Sequence, residues 1–500
     1  MTVFFMKNFL IPRLRDVFFL AILFAALALG PRMLSLDSDL GRHLTLGGFI
    51  LDSHQIPIRD LFSHIRADAP RPAYEWLMQV IFALANRLVG LDGVLLVTAL
   101  VIAAAFAVVY VDAARRSRFP LAALMIASLA AAASSLHWLP RPHVITFLLL
   151  AIWLEWLEHV RCGESVPWWQ FPALMLIWAN AHGGFLFGIL AWLAYFGGWM
   201  WEAIRKSANP KIGKQWLLIG GSSLLASILT PSGWGNWQAV LANHSSYILS
   251  RTVETRPPDF SQPGTWPFAL LLGITIIIIL ATRKDKPAAQ SDSHFAMSHV
   301  FLLAGFAALG LLMARNIPLF AIAVVPILSE RARNVFQRAQ RWETVEANVA
   351  ALESPLRGAV WPITFGLALT LFIGIRFQTQ KEALARFDGR VFPVAAADWL
   401  NANPQSGNMF NDINWGGYLL YRLWPGQKVF VDSQTDFYGE ALTRKYEQVV
   451  TLSAGWENVL SKYNVTWVIL PPDVPLASAL RDTGWHILYS DSTTVILKHP

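Results

Sequence analysis

Apolar residues along this chain gather into long runs separated by short basic or polar breaks. The runs are roughly 15–20 residues long, the length an α-helix needs to cross a ~30 Å hydrocarbon core. They predict spans over 17–34, 93–111, 119–136, 144–157, 215–229, 267–281, 300–313, 319–328 and 359–375. Between 169 and 201 the chain stays apolar but is broken by Asn180-Ala-His182-Gly-Gly184, which predicts two short spans meeting at a turn. The total is about eleven crossings. Segment 75–89 has amphipathic spacing and is expected to lie along the interface, while 31–74 reads as a long polar loop.

Basic residues sort with the breaks. Lys7, Arg13 and Arg15 precede the first run, and Arg115, Arg116 and Arg118 follow the second. Arg161, then Arg205, Lys206, Lys211 and Lys214, then Arg283, Lys284 and Lys286, then Arg331, Arg333, Arg338, Arg341 and Arg357 mark every second break thereafter. The positive-inside rule places these and the N-terminus in the cytoplasm. The first run also has the form of a signal peptide, but the many runs after it favour an uncleaved span.

Alternation leaves the last part of the chain outside. There the pattern changes to short β-branched and aromatic runs between helical stretches. It predicts strands over 408–411, 428–432, 466–470, 485–490 and 493–497, with helices over 395–401 and within 440–462. The expected architecture is an α-helical polytopic membrane core over 1–378, with a long first outer loop over 31–75. An extracytoplasmic α/β domain over 392–500 completes it.

Composition agrees. Only 15% of the 500 residues are charged, against about 25% in a soluble domain. The net charge of +7 sits in the short loops, with no basic stripe interleaved with aromatics, so nucleic acid is not an expected partner. One cysteine, Cys162, excludes an intramolecular disulfide and Cys-rich metal sites. Tryptophans such as Trp168, Trp169, Trp199, Trp201 and Trp266 fall at run ends, as interfacial belts do.

The polar residues beside the spans all fall at predicted outer ends: Asp37 and Asp39, Arg141 and His143, Asn180 and His182, Arg315 and Asn316. As a set they can line one outward-facing cavity. Asp37 and Asp39 can share a divalent metal, Mg or Mn, through hard oxygen ligands, or one can act as a base. Arg42 lies three residues on, suited to pairing locally or to holding a phosphate. Arg141 and His143 on a Pro-rich turn suit phosphate binding or general acid work, or snorkelling to the interface. A break at Asn180–Gly184 within membrane depth is tolerated where it lines a cavity or is buried in protein. In the tail, Asp412 and Trp415 follow a predicted strand and open a helix, which is an acceptor-binding edge or an ordinary capped helix.

These residues resemble the GT-C superfamily of membrane glycosyltransferases, which includes oligosaccharyltransferases and protein mannosyltransferases. Asp37-Ser-Asp39-Leu-Gly-Arg42-His43, Gly47, Ile56-Pro57, Asp60-Leu-Phe-Ser63 and Glu75-Trp76-Leu77 look like the long first loop of its bacterial members. Aminoarabinose and mannosyl transferases have an acidic residue followed three later by Arg, as Asp39 and Arg42 are here. Asn180-Ala-His182-Gly-Gly and Arg315-Asn-Ile-Pro318 look like recurring elements of the same group. Asp412-Ile-Asn-Trp415-Gly-Gly-Tyr418 is loosely similar to the aromatic-acidic signature of oligosaccharyltransferases. It departs from the order Trp-Trp-Asp-Tyr-Gly, so recognition of a peptide sequon is not implied.

The resemblance implies transfer of a sugar from a polyprenyl-phosphate-linked donor to a glycan, lipid or protein acceptor outside a bacterial inner membrane. Asp39 would be base or metal ligand, supported by Asp37. Arg42, Glu75, Arg141, His143, Asn180, His182, Arg315, Asp412 and Trp415 would bind substrates, with Arg141, His182 and Arg315 facing the lipid phosphate. Two other classes remain: a transporter or flippase for a lipid-linked or anionic solute, and a non-catalytic envelope assembly protein. A transporter favours polar residues near mid-span and symmetry between halves, and neither is evident here.

Overall fold

Helix periodicity in the apolar runs is realised throughout the computed structural model, which describes residues 10–206, 209–242, 245–282, 296–380 and 383–500. Lys7 and the basic cluster Arg283, Lys284 and Lys286 lie outside the described residues. In chain order the helices are α1 (Leu14–Leu36), α2 (Leu40–Ser53), α3 (Trp76–Val89), α4 (Leu91–Ser117), α5 (Pro120–Ser134) and α6 (Val144–Arg161). There follow α7 (Gln170–Ala181), α8 (Phe185–Ile204) and α9 (Gly213–Ala226). Beyond a stretch of short helical turns come α10 (Trp266–Thr282), α11 (Met297–Leu312), α12 (Ile317–Phe336), α13 (Gln340–Glu353) and α14 (Val360–Gln380).

Every predicted apolar run is a helix. Among the described residues, five helical stretches are long and apolar enough to cross a membrane: Leu14–Leu36, Leu91–Ser117, Pro120–His137, Pro263–Thr282 and Val360–Gln380. Helix α7 has 12 residues, which rise only ~18 Å at 1.5 Å each. In contrast, α12 runs for 20 residues through Pro326, well beyond the predicted 319–328. Helix α4 is central, packed on α1, α5, α6 and α12. At the α1–α4 contact Gly30 faces Leu95, whose Cδ1 would stand 2.7 Å from an added Cβ. Trp168, Trp169, Trp201 and Trp266 are exposed at helix ends, as belt residues are.

The stretch 31–74 is not the continuous polar loop that its composition suggested. Helix α1 carries on through Pro31 to Leu36, and α2 follows after a three-residue break. Helix α2 is amphipathic, with Leu40, Leu44, Gly47 and Ile50 buried. Its apolar spacing is diluted by glycines and charges, which concealed it. Helix α13, within the basic stretch after α12, was hidden by its polar composition in the same way.

The tail forms α15 (Val394–Ala402), β1 (Asn408–Asn411), α16 (Gly416–Leu423), α17 (Thr435–Val450), α18 (Trp456–Lys462), β2 (Val465–Leu470), α19 (Pro475–Asp482), β3 (His486–Ser490) and β4 (Val495–Lys498). The sheet order is β1-β2-β4-β3, with β1 parallel to β2 and the other pairs antiparallel. An α/β tail is therefore present. The predicted strand over 428–432 does not join this sheet. Its Val429 instead bridges to Ser63 in the segment after α2. Val429 N donates to Phe62 O at 3.0 Å, and His64 N donates to Val429 O at 3.1 Å.

That segment is built into the tail. Phe62 is buried among the tail's apolar residues, edge-on to Trp424 at 5.2 Å. Arg71 pairs with Asp60 at 2.6 Å and with Asp432 of the tail at 3.2 Å. Its guanidinium also lies 4.4 Å from the Phe437 ring centre. Helix α16 meets α2 through glycines: a Cβ on Gly41 would sit 2.2 Å from Gly417 O, and one on Gly417 would sit 2.3 Å from Ser38 O. Backbone against backbone cannot yield as a flexible side chain would. Gly417→Ala is therefore expected to weaken docking of the tail by roughly 1–3 kcal/mol, the usual cost of overpacking. Limited proteolysis of the 383–393 linker checks this: faster cleavage is expected, and an unchanged rate contradicts the close contact.

Candidate active site

The break between α1 and α2 carries the two carboxylates. Asp37 ends α1 and is buried. Its Oδ1 accepts from the backbone N–H groups of Asp39 at 2.8 Å and Leu40 at 3.1 Å, and from Arg141 Nε at 2.9 Å. The carboxylate thus fixes the turn that aims Asp39. Asp39 Oδ2 lies 3.0 Å from the other arm of Arg141. Asp39 Oδ1 accepts from Arg42 at 3.3 Å and from Ser433 Oγ at 2.5 Å. Arg141 also reaches Glu254 at 3.2 Å, so one guanidinium contacts three carboxylates. The tail thus touches the first-loop acid directly, through Ser433.

A second acidic centre stands beside the first. Glu75, at the start of α3, places Oε2 3.8 Å from His43 Nδ1 and Oε1 3.8 Å from His182 Nε2. His182 ends α7 at the predicted break. Its Nδ1 accepts from Gly184 N at 2.9 Å and lies 2.9 Å from Thr146 Oγ1. Trp178 Nε1 donates to that same hydroxyl at 2.9 Å. Thr146 therefore has its proton free to donate to Nδ1, which leaves the ring proton on Nε2, facing Glu75. His143 donates from Nε2 to His137 O at 2.9 Å, and its ring centre is 6.3 Å from that of His182.

Burial and charge set the protonation pattern. Burial works to raise Asp39, but Arg141 and Arg42 outweigh it and hold Asp39 well below the usual carboxylate range. Burial raises Asp37 above that range, against the pull of Arg141. Burial pushes Glu75 up to about 7, only partly offset by Arg42. Burial, with the Arg315 guanidinium adding to it, pushes His182 down to about 3, so it is neutral beside Glu75. Asp39 stays ionised, while Glu75 titrates near neutrality.

The predicted residues divide into three groups. Asp37, Asp39, Arg42, Glu75, Arg141, His143 and His182 converge on one cluster. Arg315 is exposed beside it, acts electrostatically on His182, and has no hydrogen bond or ion pair among the described residues. The remaining three do not join the cluster. Asn180 is a clamp: it accepts from Trp76 Nε1 at 2.8 Å and donates to Leu176 O at 2.8 Å and Leu229 O at 3.0 Å. Asp412 holds its own turn by accepting from Asn414 N at 2.8 Å, and Trp415 donates to Val391 O at 2.8 Å within the tail core. Both shape the turn that leads into Gly416, packed on Val431 and Asp432 of the tail, and Gly417, packed on Ser38 of the first loop. Given no role by the sequence reading were His43, Gln79, Arg71, Glu254 and Ser433, whose partners lie far away in the chain.

Three buried polar atoms in and beside this cluster make no hydrogen bond: Asp37 Oδ2, Arg42 Nε and Gln79 Oε1. Natural proteins rarely leave such atoms unpaired, so a ligand or water is expected to meet them. A cavity of about 20 Å³ next to Arg42, Glu75 and Gln79 is room for about one water. The metal expectation fares less well. Arg141 occupies the space between Asp37 and Asp39, and three of their four oxygens are already engaged. Among the described residues no group of three His, Cys, Asp or Glu side chains is placed to hold an ion. As arranged, the donor set does not fit a divalent cation.

No family model and no curated protein sequence matches this chain. Solved structures do. The apo oligosaccharyltransferase of Archaeoglobus fulgidus aligns with a TM-score of 0.60 at 12% identity, over 90% of this chain and 69% of that one. The archaeal oligosaccharyltransferase AglB of the same organism, with an inhibitory peptide and a dolichol-phosphate, aligns at 0.52 and 11% identity, over 96% and 74%. ArnT from Cupriavidus metallidurans with undecaprenyl phosphate aligns more weakly, at 0.48 and 14%, over 96% and 97%. At such identities the likeness is one of fold alone, and the fold is that of the archaeal oligosaccharyltransferase.

Proposed function

We propose that this protein is a membrane glycosyltransferase that moves a sugar from a polyprenyl-phosphate carrier to an acceptor on the outer side of a bacterial inner membrane. About eleven crossings, with the N-terminus inside and the tail outside, follow from the charge pattern. The observation that carries the reading is the pairing of a permanently ionised acid, Asp39, with a neighbouring acid poised near pH 7, Glu75. The likeness of fold to an oligosaccharyltransferase supports it. Two acids tuned apart in this way can divide the acid and base roles of one reaction.

The chemistry follows from the charges. The acceptor oxygen bonds to the sugar C1 as the C1–O bond to phosphate breaks, through an oxocarbenium-like state. Asp39 is ionised and stabilises the positive charge that develops on the sugar. Held low by two arginines, it is a weak base. Glu75 takes the acceptor's proton, because a base works best with a pKa near the working pH. His182 and His43 stay neutral on either side and so leave the carboxylate free to accept it. The phosphate leaves with increased negative charge. Arg315 is the cation free to meet it, since Arg141 is committed to its three carboxylates.

Two outcomes test this, with the purified chain in bilayers and a polyprenyl-phosphate-linked sugar as donor. Asp39→Asn and Glu75→Gln are each expected to lower turnover by about 100-fold or more, while membrane insertion is kept. In the wild type, kcat/KM should rise with pH through about 7 and level off above it, as Glu75 loses its proton. In Glu75→Gln that rise should vanish. A rise that persists in Glu75→Gln removes it as the base, and full activity in Asp39→Asn removes the site altogether.

The Arg141 bridge generates a further expectation. With a guanidinium between the carboxylates, chelation by EDTA should leave turnover unchanged. Loss of turnover on chelation, restored by Mg or Mn, would show that Arg141 moves aside for a metal.

A further inference from the structure

A second cavity lies at the opposite end of the helix bundle. Asp37 closes α1 at one end and Arg13 caps it at the other, roughly 33 Å away at 1.5 Å per residue. The cavity has a volume of about 290 Å³ and is lined by Arg13, Arg15, Tyr110, Arg118, Glu353 and Ser354, among others. That size is at the low end of small-ligand pockets, ~300–1,000 Å³.

Its polar groups are incompletely paired. The Tyr110 side chain is 2% exposed, yet its hydroxyl makes no hydrogen bond. Arg13 Nε is likewise buried and unpaired, although another arm of the same guanidinium donates to Glu353 O at 3.3 Å. Arg118 follows α4 in a left-handed conformation, φ 58°. It is exposed and has no hydrogen bond or ion pair among the described residues. Arg15 is partly offset by Asp16 at 3.4 Å and also donates to Arg357 O at 2.8 Å.

The nearby acids are engaged elsewhere. Asp16 accepts from Arg13 N at 2.8 Å and Ala359 N at 3.1 Å, and Glu353 accepts from Leu14 N at 2.5 Å. Three guanidiniums therefore meet three carboxylates, Asp16, Glu353 and Glu346, each already hydrogen-bonded to backbone N–H groups. An anion entering the cavity finds a free guanidinium, a second with an unused N–H, and an unpartnered hydroxyl.

We propose that this cavity binds a phosphate-bearing anion, with Arg118, Arg13 and Tyr110 as its donors. Guanidinium suits phosphate because it presents several donors in one plane. The site lies at the basic ends of α1 and α4, two helices long and apolar enough to cross a membrane, which the positive-inside rule places at the cytoplasmic face. Basic pockets between spans at that depth hold lipid headgroups. A phosphodiester headgroup and a free phosphate share this chemistry, and the experiment separates them. Because the site stands at the far end of α1, it is independent of the glycosyltransfer reading.

The test is thermal unfolding of the full chain in detergent. One arm adds phosphatidylglycerol, with phosphatidylcholine of the same acyl chains as its control. The other adds sodium phosphate, with sodium chloride at equal ionic strength as its control. At least one anion should raise the unfolding temperature above its control. Phosphatidylglycerol alone identifies a headgroup site, and sodium phosphate acting by itself identifies a free-anion site. Tyr110→Phe and Arg118→Gln should each weaken the apparent affinity about tenfold, as loss of a hydrogen bond to a charged group does. Arg118→Lys should retain most of it. Both weakening variants remove groups with no protein partner, so their unfolding temperatures without anion should match the wild type. No stabilisation by either anion, or unchanged affinity in both Tyr110→Phe and Arg118→Gln, overturns the proposal.

Discussion

The structure turns on one buried guanidinium. Arg141 lies between Asp37 and Asp39 and also reaches Glu254, with little of any of these side chains exposed. Taking carboxylates out of water costs several kcal/mol each, and only close pairing offsets it. Without Arg141 the two acids at the α1–α2 break would repel each other and take up protons. With it, Asp39 keeps its charge and the turn is fixed by Asp37, while burial raises Asp37 and Glu75 toward neutrality. The difference between Asp39 and Glu75 therefore follows from the closeness of Arg141 and Arg42 to the one and the burial of the other.

The tail completes this arrangement rather than hanging from it. Ser433 donates to Asp39, and Asp432 and Gln434 hold Arg71 of the first loop. Gly41 and Gly417 allow the backbones of α2 and α16 to approach without side chains between them. Such contacts give the acid a rigid setting, and a preorganised charge stabilises a transition state without reorganising at the moment of reaction. They also make the first loop and the tail one packed unit, since Phe62 belongs to the tail's apolar core. Asp412 and Trp415 contribute at one remove, by shaping the turn that presents Gly416 and Gly417.

Much of this was legible in the sequence, and the reasons are specific. Apolar runs in α1, α4, α5 and α10 declare themselves because a lipid-facing helix must be apolar along its length. Asp37, Asp39, Arg141 and His182 stood out because charge beside such runs is costly and needs a purpose. Helix α2 did not stand out, because glycines and charges interrupt its apolar face. Lys428–Asp432 reads as a strand and is extended, but its partner is Ser63, which no local pattern could reveal. The same holds for Ser433 and Asp39, which are separated by 394 positions. Side chains brought together from distant parts of the chain leave no periodicity, so Glu254 did not stand out, and His43, although part of the first-loop run, had no role until the fold placed it beside Glu75.

The central claim is that sugar transfer happens at the cluster of Asp39 and Glu75, with Arg315 beside it. An experimentally determined structure of the full chain with a polyprenyl phosphate bound tests it most directly. The phosphate is expected within hydrogen-bond reach of Arg315, ~3 Å, with Asp39 still paired to Arg141 and Glu75 facing the space where the sugar would sit. A phosphate bound away from this cluster, or one that takes Arg141 from Asp37 and Asp39, would contradict the account.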